Sequence, residues 1–212
     1  AQPTTSIDPS KLTITVDFNN AKVVLDTTGL TSDSYEWVDA QGNSISNPEN
    51  VGTYYIKLKD AALSTLQKDN PNFTLTNSNK LAEYTITQAQ ASGVLSGSNS
   101  RTYDGQATTP AEVNSNGQIG VTVTFPGVTD ANKTYILKDG DYKWSSGSAP
   151  TNAGSYTITL TPDGISNLEK YILGLAGSGQ NNTPNVVFSD NAFTGSASYT
   201  INVAENTVSV DG

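Results

Sequence analysis

The 212-residue sequence predicts an α+β protein, mostly β, that consists of two tandem copies of one module. Three observations predict this class. A long segment recurs without gaps, apolar residues alternate with polar ones in short runs, and an apolar stripe at helical spacing follows the alternating run in each copy. Each copy is therefore expected to form a small sheet with one short helix.

The repeat is clearest in two segments of equal length. PENVGTYYIKLKDAALSTLQK begins at Pro48, and PTNAGSYTITLTPDGISNLEK begins at Pro150. Upstream, SYEW of the first copy matches DYKW of the second, and downstream EYTI matches SYTI. The apolar positions are kept while the polar ones change, which a shared core requires. Insertions between the matching blocks are expected to lie in loops.

The central block of each copy predicts a strand followed by a helix. Tyr54, Ile56 and Leu58 alternate with Tyr55, Lys57 and Lys59, which is the period of a half-buried strand. Leu63 and Leu66 then recur three residues apart, and the second copy extends this stripe. The extended stripe consists of Ile165, Leu168, Ile172 and Leu175.

The helix limits follow from local signals. We predict N-caps at Asp60 and Asp163, because an Asp side chain accepts a hydrogen bond from an early backbone amide. The first helix is expected to end near Asp69, since Asn70 and Pro71 follow it.

The remaining strand candidates are short apolar runs bounded by turn residues. In the first copy they are residues 12–16, 22–25, 35–38, 73–75 and 84–87. In the second copy they are residues 94–95, 121–125, 142–144, 186–188 and 199–203. Several strands with one helix across them are most simply arranged as a β-grasp-like domain.

The predicted domain organisation has four parts. Residues 1–10 are a linker rich in Pro and small polar residues, and residues 11–90 form the first β-grasp-like repeat. Residues 91–204 form the second repeat, with the junction between Gln88 and Gly93. Residues 205–212 are a tail whose TVSVDG resembles the ASGVLSGS that opens the second copy, as the start of a further repeat would.

The composition excludes several classes of function. The chain has no Cys and no His, so disulfides, thiolate metal sites and Ser-His or Cys-His catalysis are ruled out. A net charge of −9 with scattered Lys residues disfavours nucleic acid, and no apolar run is long enough to span a membrane. No pair of carboxylates stands in an apolar setting suited to glycoside hydrolysis. We therefore expect no enzymatic activity, no catalytic residue and no cofactor.

Several segments carry a resemblance to a known family. The segments are SRTYDGQATTP, NAGSYTITL and the series NVGTYYIKL, LSTLQKDNPNFTL and YTI. They resemble the MBG-type repeats of Gram-positive cell-wall adhesins. Those repeats are similar in organisation to mucus-binding modules. The resemblance implies tandem β-grasp-like domains in an extracellular protein anchored to the cell wall, with a role in adhesion or in projecting an adhesive tip. The first copy has DFNNAK where the second has TYDGQA, so its opening fits the pattern poorly.

Four aromatic residues are the candidates for ligand contact. Tyr35 and Trp37 in the first copy match Tyr142 and Trp144 in the second, and aromatic faces are suited to stacking against sugars. Alternate residues of a strand share one face, however, and both copies keep the pair. Core packing is therefore the favoured interpretation.

Acidic loops offer a second kind of candidate site. Asp39, Asp130 and the Asp139-Gly140-Asp141 turn could supply oxygen ligands to Ca²⁺. None of them has the spacing of an EF-hand loop, and solvated turns are the ordinary use of such residues in an acidic chain.

Three functions remain open at the level of sequence. The segment could bind host mucin or glycans, could act purely as a spacer, or could be an accessory domain of a carbohydrate-active hydrolase. The predicted strand surfaces carry Thr, Ser, Asn and Lys and no large apolar patch. We therefore expect any binding to be weak for one module and to gain strength from repetition in the parent protein.

Overall fold

The structure is a computed structural model that describes residues 6–80 and 82–209. It divides into two compact units. Unit 1 comprises residues 1–88 together with Ser178–Thr183, and unit 2 comprises residues 89–177 and 184–212. Both units are mostly β with few helices, so the predicted fold class of tandem α+β domains rich in β structure is confirmed.

The part of unit 1 that the structure describes forms two separate sheets and one α-helix. A hairpin of β1 (Thr15–Phe18) and β2 (Ala21–Val24) forms the first sheet. The second sheet is antiparallel, with β4 (Gly52–Leu58) between β3 (Tyr35–Val38) and β5 (Ala82–Ile86). Helix α1 (Asp60–Asp69) follows β4 directly. The hairpin turns at Asn19 and Asn20, whose φ angles of 52° and 62° are left-handed values that Asn tolerates better than most residues.

Strand β4 and helix α1 have the structure that the sequence predicts. Tyr54, Ile56 and Leu58 are buried, and the residues between them are partly exposed. Leu66 of α1 is also buried, and α1 ends at Asp69. The predicted N-cap was wrong, because Lys59 occupies the cap position and Asp60 lies in the first turn, where its charge favours the helix N-terminus.

Residues 73–75, predicted as a strand, form none. The Gln67 side chain instead holds this segment, since its Nε2 donates to the carbonyl of Phe73 at 2.6 Å and its Oε1 accepts from the amide of Leu75 at 2.8 Å. These two bonds satisfy backbone groups that a neighbouring strand would otherwise pair.

Over its described residues, unit 2 contains nine regular elements besides short 3₁₀ turns. In chain order they are β6 (Ala89–Thr102), α2 (Pro110–Val113), β7 (Ile119–Thr124), β8 (Thr134–Tyr135), β9 (Tyr142–Trp144), β10 (Gly154–Leu160), α3 (Pro162–Ala176), β11 (Val186–Gly195) and β12 (Ala197–Asn202).

One mixed sheet organises unit 2. Its strand order is β8-β7-β6-β12-β10-β9, and β11 also pairs with β6. The β6–β12 and β6–β11 pairs are parallel, and the other pairs are antiparallel. A parallel central pair flanked by antiparallel strands, with a helix after β10, is a β-grasp-like arrangement.

Helix α3 forms as the sequence predicts, but the predicted stripe is buried only in part, since Ile165 is half-buried and Leu175 is 37% exposed. Leu168 and Ile172 are completely buried in the unit 2 core. The predicted N-cap Asp163 was wrong, because the cap is Thr161, whose Oγ1 accepts from the Gly164 amide at 3.0 Å. Gly164 packs so closely that a Cβ there would lie 2.0 Å from the carbonyl oxygen of Asp141.

The chain ends differ from the repeats between them. Ile7, in the segment predicted as linker, is buried in the unit 1 core, and residues 1–5 of that segment lie outside the described residues. Residues 203–209 are exposed and have no regular structure. The predicted limits of the domains stay a prediction. Across residues 6–80 and 82–209, no helix is long and apolar enough to cross a membrane.

Candidate functional site

The aromatic pair of unit 1 lies on β3. Tyr35 and Trp37 are opposite the buried Leu58 and Ile56 of β4, so their side chains point to the core face of the sheet. Only 3% of Tyr35 and 5% of Trp37 is exposed, and Trp37 meets Tyr84 edge to face at 5.2 Å. Burial raises the pKa of Tyr35. With so little surface exposed, neither ring presents an open face to a sugar.

A polar groove of about 320 Å³ adjoins this pair. Its other lining residues include Asp33, Glu36 and Lys59. The Glu36 carboxylate already accepts from Ser44 Oγ at 2.6 Å and lies 3.8 Å from Lys57 Nζ. The charges at this groove are therefore partly neutralised within unit 1.

The aromatic pair of unit 2 is more accessible. Tyr142 and Trp144 are half-buried on β9, the edge strand of the sheet, and their rings lie edge to face at 5.8 Å. Trp144 also contacts the rings of Tyr156 and Tyr199, at 6.5 Å and 5.6 Å. Burial, followed by the charge of Asp139, raises the pKa of Tyr142. This cluster closes one end of the core and leaves part of its surface in solvent.

The Asp139-Gly140-Asp141 turn has a structural use. Asp141 is completely buried, and its carboxylate accepts from Tyr135 Oη at 2.8 Å, the Lys138 amide at 2.7 Å and Asn167 Nδ2 at 2.9 Å. These bonds connect three parts of unit 2. Burial and the hydrogen bond to Asp141 raise the pKa of Tyr135 to about 12.

The other two acidic candidates belong to local turns. Asp39 accepts from the Gln41 and Asn43 amides and from the Asn43 side chain, and the bonds from Asn43 contribute most to lowering its pKa. Asp130 accepts from Lys133, which lowers the pKa of Asp130. Within residues 6–80 and 82–209, the acidic side chains form no group of three or more that could hold a metal ion.

A surface that the motif search did not single out lies on the solvent face of the unit 2 sheet. Two rows of hydroxyl residues run across three neighbouring strands. One row is Ser98, Ser198 and Thr157, and the other is Ser100, Thr200 and Ser155; we call these six residues the hydroxyl face. All are exposed except Thr200, which is half-buried. The sequence signal is the alternation of Ser and Thr with core residues in SGSNS, SYTIT and ASYTI.

The same face of unit 1 has different chemistry. Thr53 is opposite Thr85, but the next pairs are Tyr55 with Glu83 and Lys57 with Glu36. The Lys80 ammonium also lies 4.5 Å from the centre of the Tyr55 ring. The repeat therefore keeps its core positions and varies its solvent face.

The chain is similar to a solved structure and matches a family model. A cell surface adhesin from Lactobacillus reuteri is similar to the chain at 25% identity, over 54% of this chain and 99% of that structure, with a TM-score of 0.37. A search of curated proteins gives no match. The family model for the MBG domain matches residues 2–88 and again residues 90–203. The chain therefore belongs to the MBG domain family and contains two matches to it in tandem.

Proposed function

We propose that this chain is a repeat segment of an extracellular adhesin on a Gram-positive cell surface, and that it makes weak contacts with mucin glycans. Membership of the MBG domain family supports the adhesin role. The hydroxyl face of unit 2 is the single observation that supports a direct contact. The parent protein would be attached to the cell wall by a part outside this sequence.

The chemistry of the hydroxyl face suits glycans. Its Ser and Thr side chains can each donate and accept a hydrogen bond, as sugar hydroxyls do. Such bonds replace bonds to water and contribute only about 0.5 to 1.5 kcal/mol each. The face lies on an open sheet, where a ligand keeps much of its hydration. We therefore expect weak binding by one chain and firm attachment by many chains on one cell.

The aromatic candidates have unequal roles in this proposal. We retain Tyr142 and Trp144 as stacking candidates, since part of their surface is open. Tyr35 and Trp37 would need to leave the core to stack on a sugar, because almost all of their surface is covered. The alternative function is a spacer that projects another adhesive domain and has no ligand of its own.

The experiment compares two formats of the same chain on immobilised mucin glycans. We expect weak, rapidly reversible binding by the isolated chain and firm retention of beads that display many copies. Nanomolar binding by the isolated chain would refute the weak-contact proposal, and absence of binding in both formats would establish the spacer alternative.

A matched pair of variants locates the contact. Thr157→Val combined with Ser155→Ala and Ser198→Ala removes three hydroxyls of the hydroxyl face, and we expect bead retention to fall. Thr53→Val combined with Thr85→Val changes the corresponding face of unit 1 and should leave retention unchanged. Equal retention by both variants would assign the contact to another surface.

A further inference from the structure

The two units differ by two strands, β6 at the centre of the unit 2 sheet and β11, which pairs with β6. Unit 2 has the order β8-β7-β6-β12-β10-β9, with β11 also on β6. Unit 1 has β2-β1 in one sheet and β5-β4-β3 in another. These are the counterparts of β8-β7 and of β12-β10-β9, so among the described residues unit 1 has no counterpart of β6 or of β11. In unit 2, β6 joins the two halves by pairing with β7 on one side and β12 on the other.

The register of the strands supports this correspondence. Gly52 pairs with Ile86 and Tyr54 with Tyr84, as Gly154 pairs with Ile201 and Tyr156 with Tyr199 in unit 2. The sequence ITVDF at residues 14–18, which includes β1, likewise has the alternation of VTVTF at residues 121–125, which overlaps β7. One edge of β5 corresponds to the edge of β12 that pairs with β6. The backbone N–H and C=O groups along that edge of β5 therefore alternate in the same register as those of β12. No described strand pairs with it.

Burial shows the effect of the difference. In unit 2, Tyr199 is 1% exposed and Phe125 is 7% exposed. Their counterparts in unit 1 are Tyr84, which is half-buried, and Phe18, which is 53% exposed. The core positions beside the open edge of unit 1 are thus incompletely covered.

A groove of about 720 Å³ lies beside this edge. Ala82, Glu83 and Tyr84 of β5 line it, together with apolar residues of the core and of the segment before β1. Those apolar residues are Ile7, Pro9, Leu12, Trp37 and Ile56. Within the described residues, the indole Nε1 of Trp37 is buried without a hydrogen-bond partner. A buried donor in this state is costly, and Trp37 lines this groove as well as the polar groove described above.

We propose that unit 1 is a strand acceptor: the open edges of β5 and β1 bind an extended segment of the type of Ala89–Thr102, parallel to β5 and antiparallel to β1. Unit 2 provides the template for the register. By that template, the acceptor edge of β5 spans residues 83–87, and the acceptor edge of β1 lies around residues 12–17.

The order of the chain identifies the occupant. Only Thr87 and Gln88 separate the last strand of unit 1 from β6, so in this protein the first strand of a repeat follows at once on the last strand of the repeat before it. The capped turn at Pro9–Lys11 also corresponds to α2, which follows β6 in unit 2, and each begins at a Pro after a capping Asp8 or Thr109. An extended segment bound at the open edges of unit 1 would therefore end near this turn, as β6 ends before α2 in unit 2.

Hydrogen exchange of the full chain is the first test. We expect the amides of β5 to exchange at least about tenfold faster than those of β12, because an unpaired edge opens locally without disrupting a ladder. Strand β12 is the matched control, since it has the same partner register and is covered on both sides. Equal protection of β5 and β12 would overturn the proposal, because the edge would then already be occupied.

The second test supplies the strand. A copy of residues 89–106 is fused ahead of residue 1 of the full chain, and its control carries Pro at the counterparts of Asn99 and Arg101, which removes two donors on the edge that faces β12. We expect the unmodified extension to slow exchange of β5 and β1 at least about tenfold, with β12 unchanged. The Pro-containing extension should have no effect. Unchanged exchange with the first extension, or equal protection by both, would overturn the proposal.

Discussion

Units 1 and 2 contain the same strand and helix block but build buried clusters of different size around it. Of the described residues, sixteen form the buried cluster of unit 2 and ten form that of unit 1. Tyr54, Ile56 and Leu58 alternate in β4 much as Tyr156, Ile158 and Leu160 do in β10, so local pattern does not explain the difference. Strand β6 and its partner β11 do, because β6 joins both halves of the unit 2 sheet and the two strands add Ala91, Leu95 and Val186 to the buried cluster. A central strand and its partner can therefore decide how large a repeated core becomes.

The sequence provides a separate optical probe for each unit. Its two Trp residues are Trp37 in unit 1 and Trp144 in unit 2. A Trp37→Phe background reports unfolding of unit 2 by fluorescence, and a Trp144→Phe background reports unfolding of unit 1. The predictions below use these two backgrounds.

The largest effect is expected from truncation of the matched helix residues. Leu168→Ala should destabilise unit 2 by about 2 to 5 kcal/mol, because Leu168 is fully buried and the closed core cannot collapse around the cavity. Leu66→Ala should lower the free energy of unfolding of unit 1 by a smaller amount, towards the lower end of about 2 to 5 kcal/mol. The reason is that a core beside an open edge relaxes more easily around a cavity. Urea unfolding of each variant in both Trp backgrounds measures the two values. A shift of equal size in both Trp signals would contradict independent unfolding.

An intermediate effect is expected at the turn before β9. Asp141→Ala should cost unit 2 about 3 kcal/mol, because it leaves the donors of Tyr135, Asn167 and the Lys138 amide without their buried acceptor. Ser34 occupies the matching position in unit 1, where its carbonyl accepts from the Lys59 amide as the Asp141 carbonyl accepts from Thr161. Ser34→Ala should cost less than about 1 kcal/mol, since its backbone bond remains. Similar losses in the two variants would show that the buried carboxylate contributes little.

The smallest effect concerns alkaline pH. The folded state raises the pKa of Tyr135 to about 12, above the value of about 10 for an unfolded Tyr, so folding favours the protonated phenol. This stabilisation is complete below about pH 10 and is lost as the pH rises towards 12. We expect unit 2 to lose stability in that window, and Tyr135→Phe to reduce the loss. Tyr142 and Tyr199 also have raised pKa values, so a smaller loss should remain.

The measurement is the urea midpoint of unit 2 at several values between about pH 9 and about pH 12 in the Trp37→Phe background. Tyr35→Phe is the control, because its pKa is also raised but it belongs to unit 1. An unchanged pH dependence in Tyr135→Phe would show that this phenol does not report folding of unit 2.

Local pattern was enough to predict β4, β10 and the helices that follow them. Their apolar residues repeat at the periods of a strand and a helix, and those periods depend only on backbone geometry. Pattern also identified all four aromatic candidates, but not their exposure. Trp37 is covered and Trp144 is partly open, because neighbouring strands and loops, and not the YEW and YKW motifs, decide what covers a ring.

The sequence by itself determined the duplication, the class of secondary structure and the family. Only the tertiary structure decided the role of β6, for which the sequence predicted no more than residues 94–95. Its Ser, Gly, Asn and Ala residues have little strand propensity, and β6 is a strand of fourteen residues because β7, β11 and β12 pair with it. The hydroxyl face depends on the same pairing, since residues distant in sequence become neighbours only when the register of three strands is set.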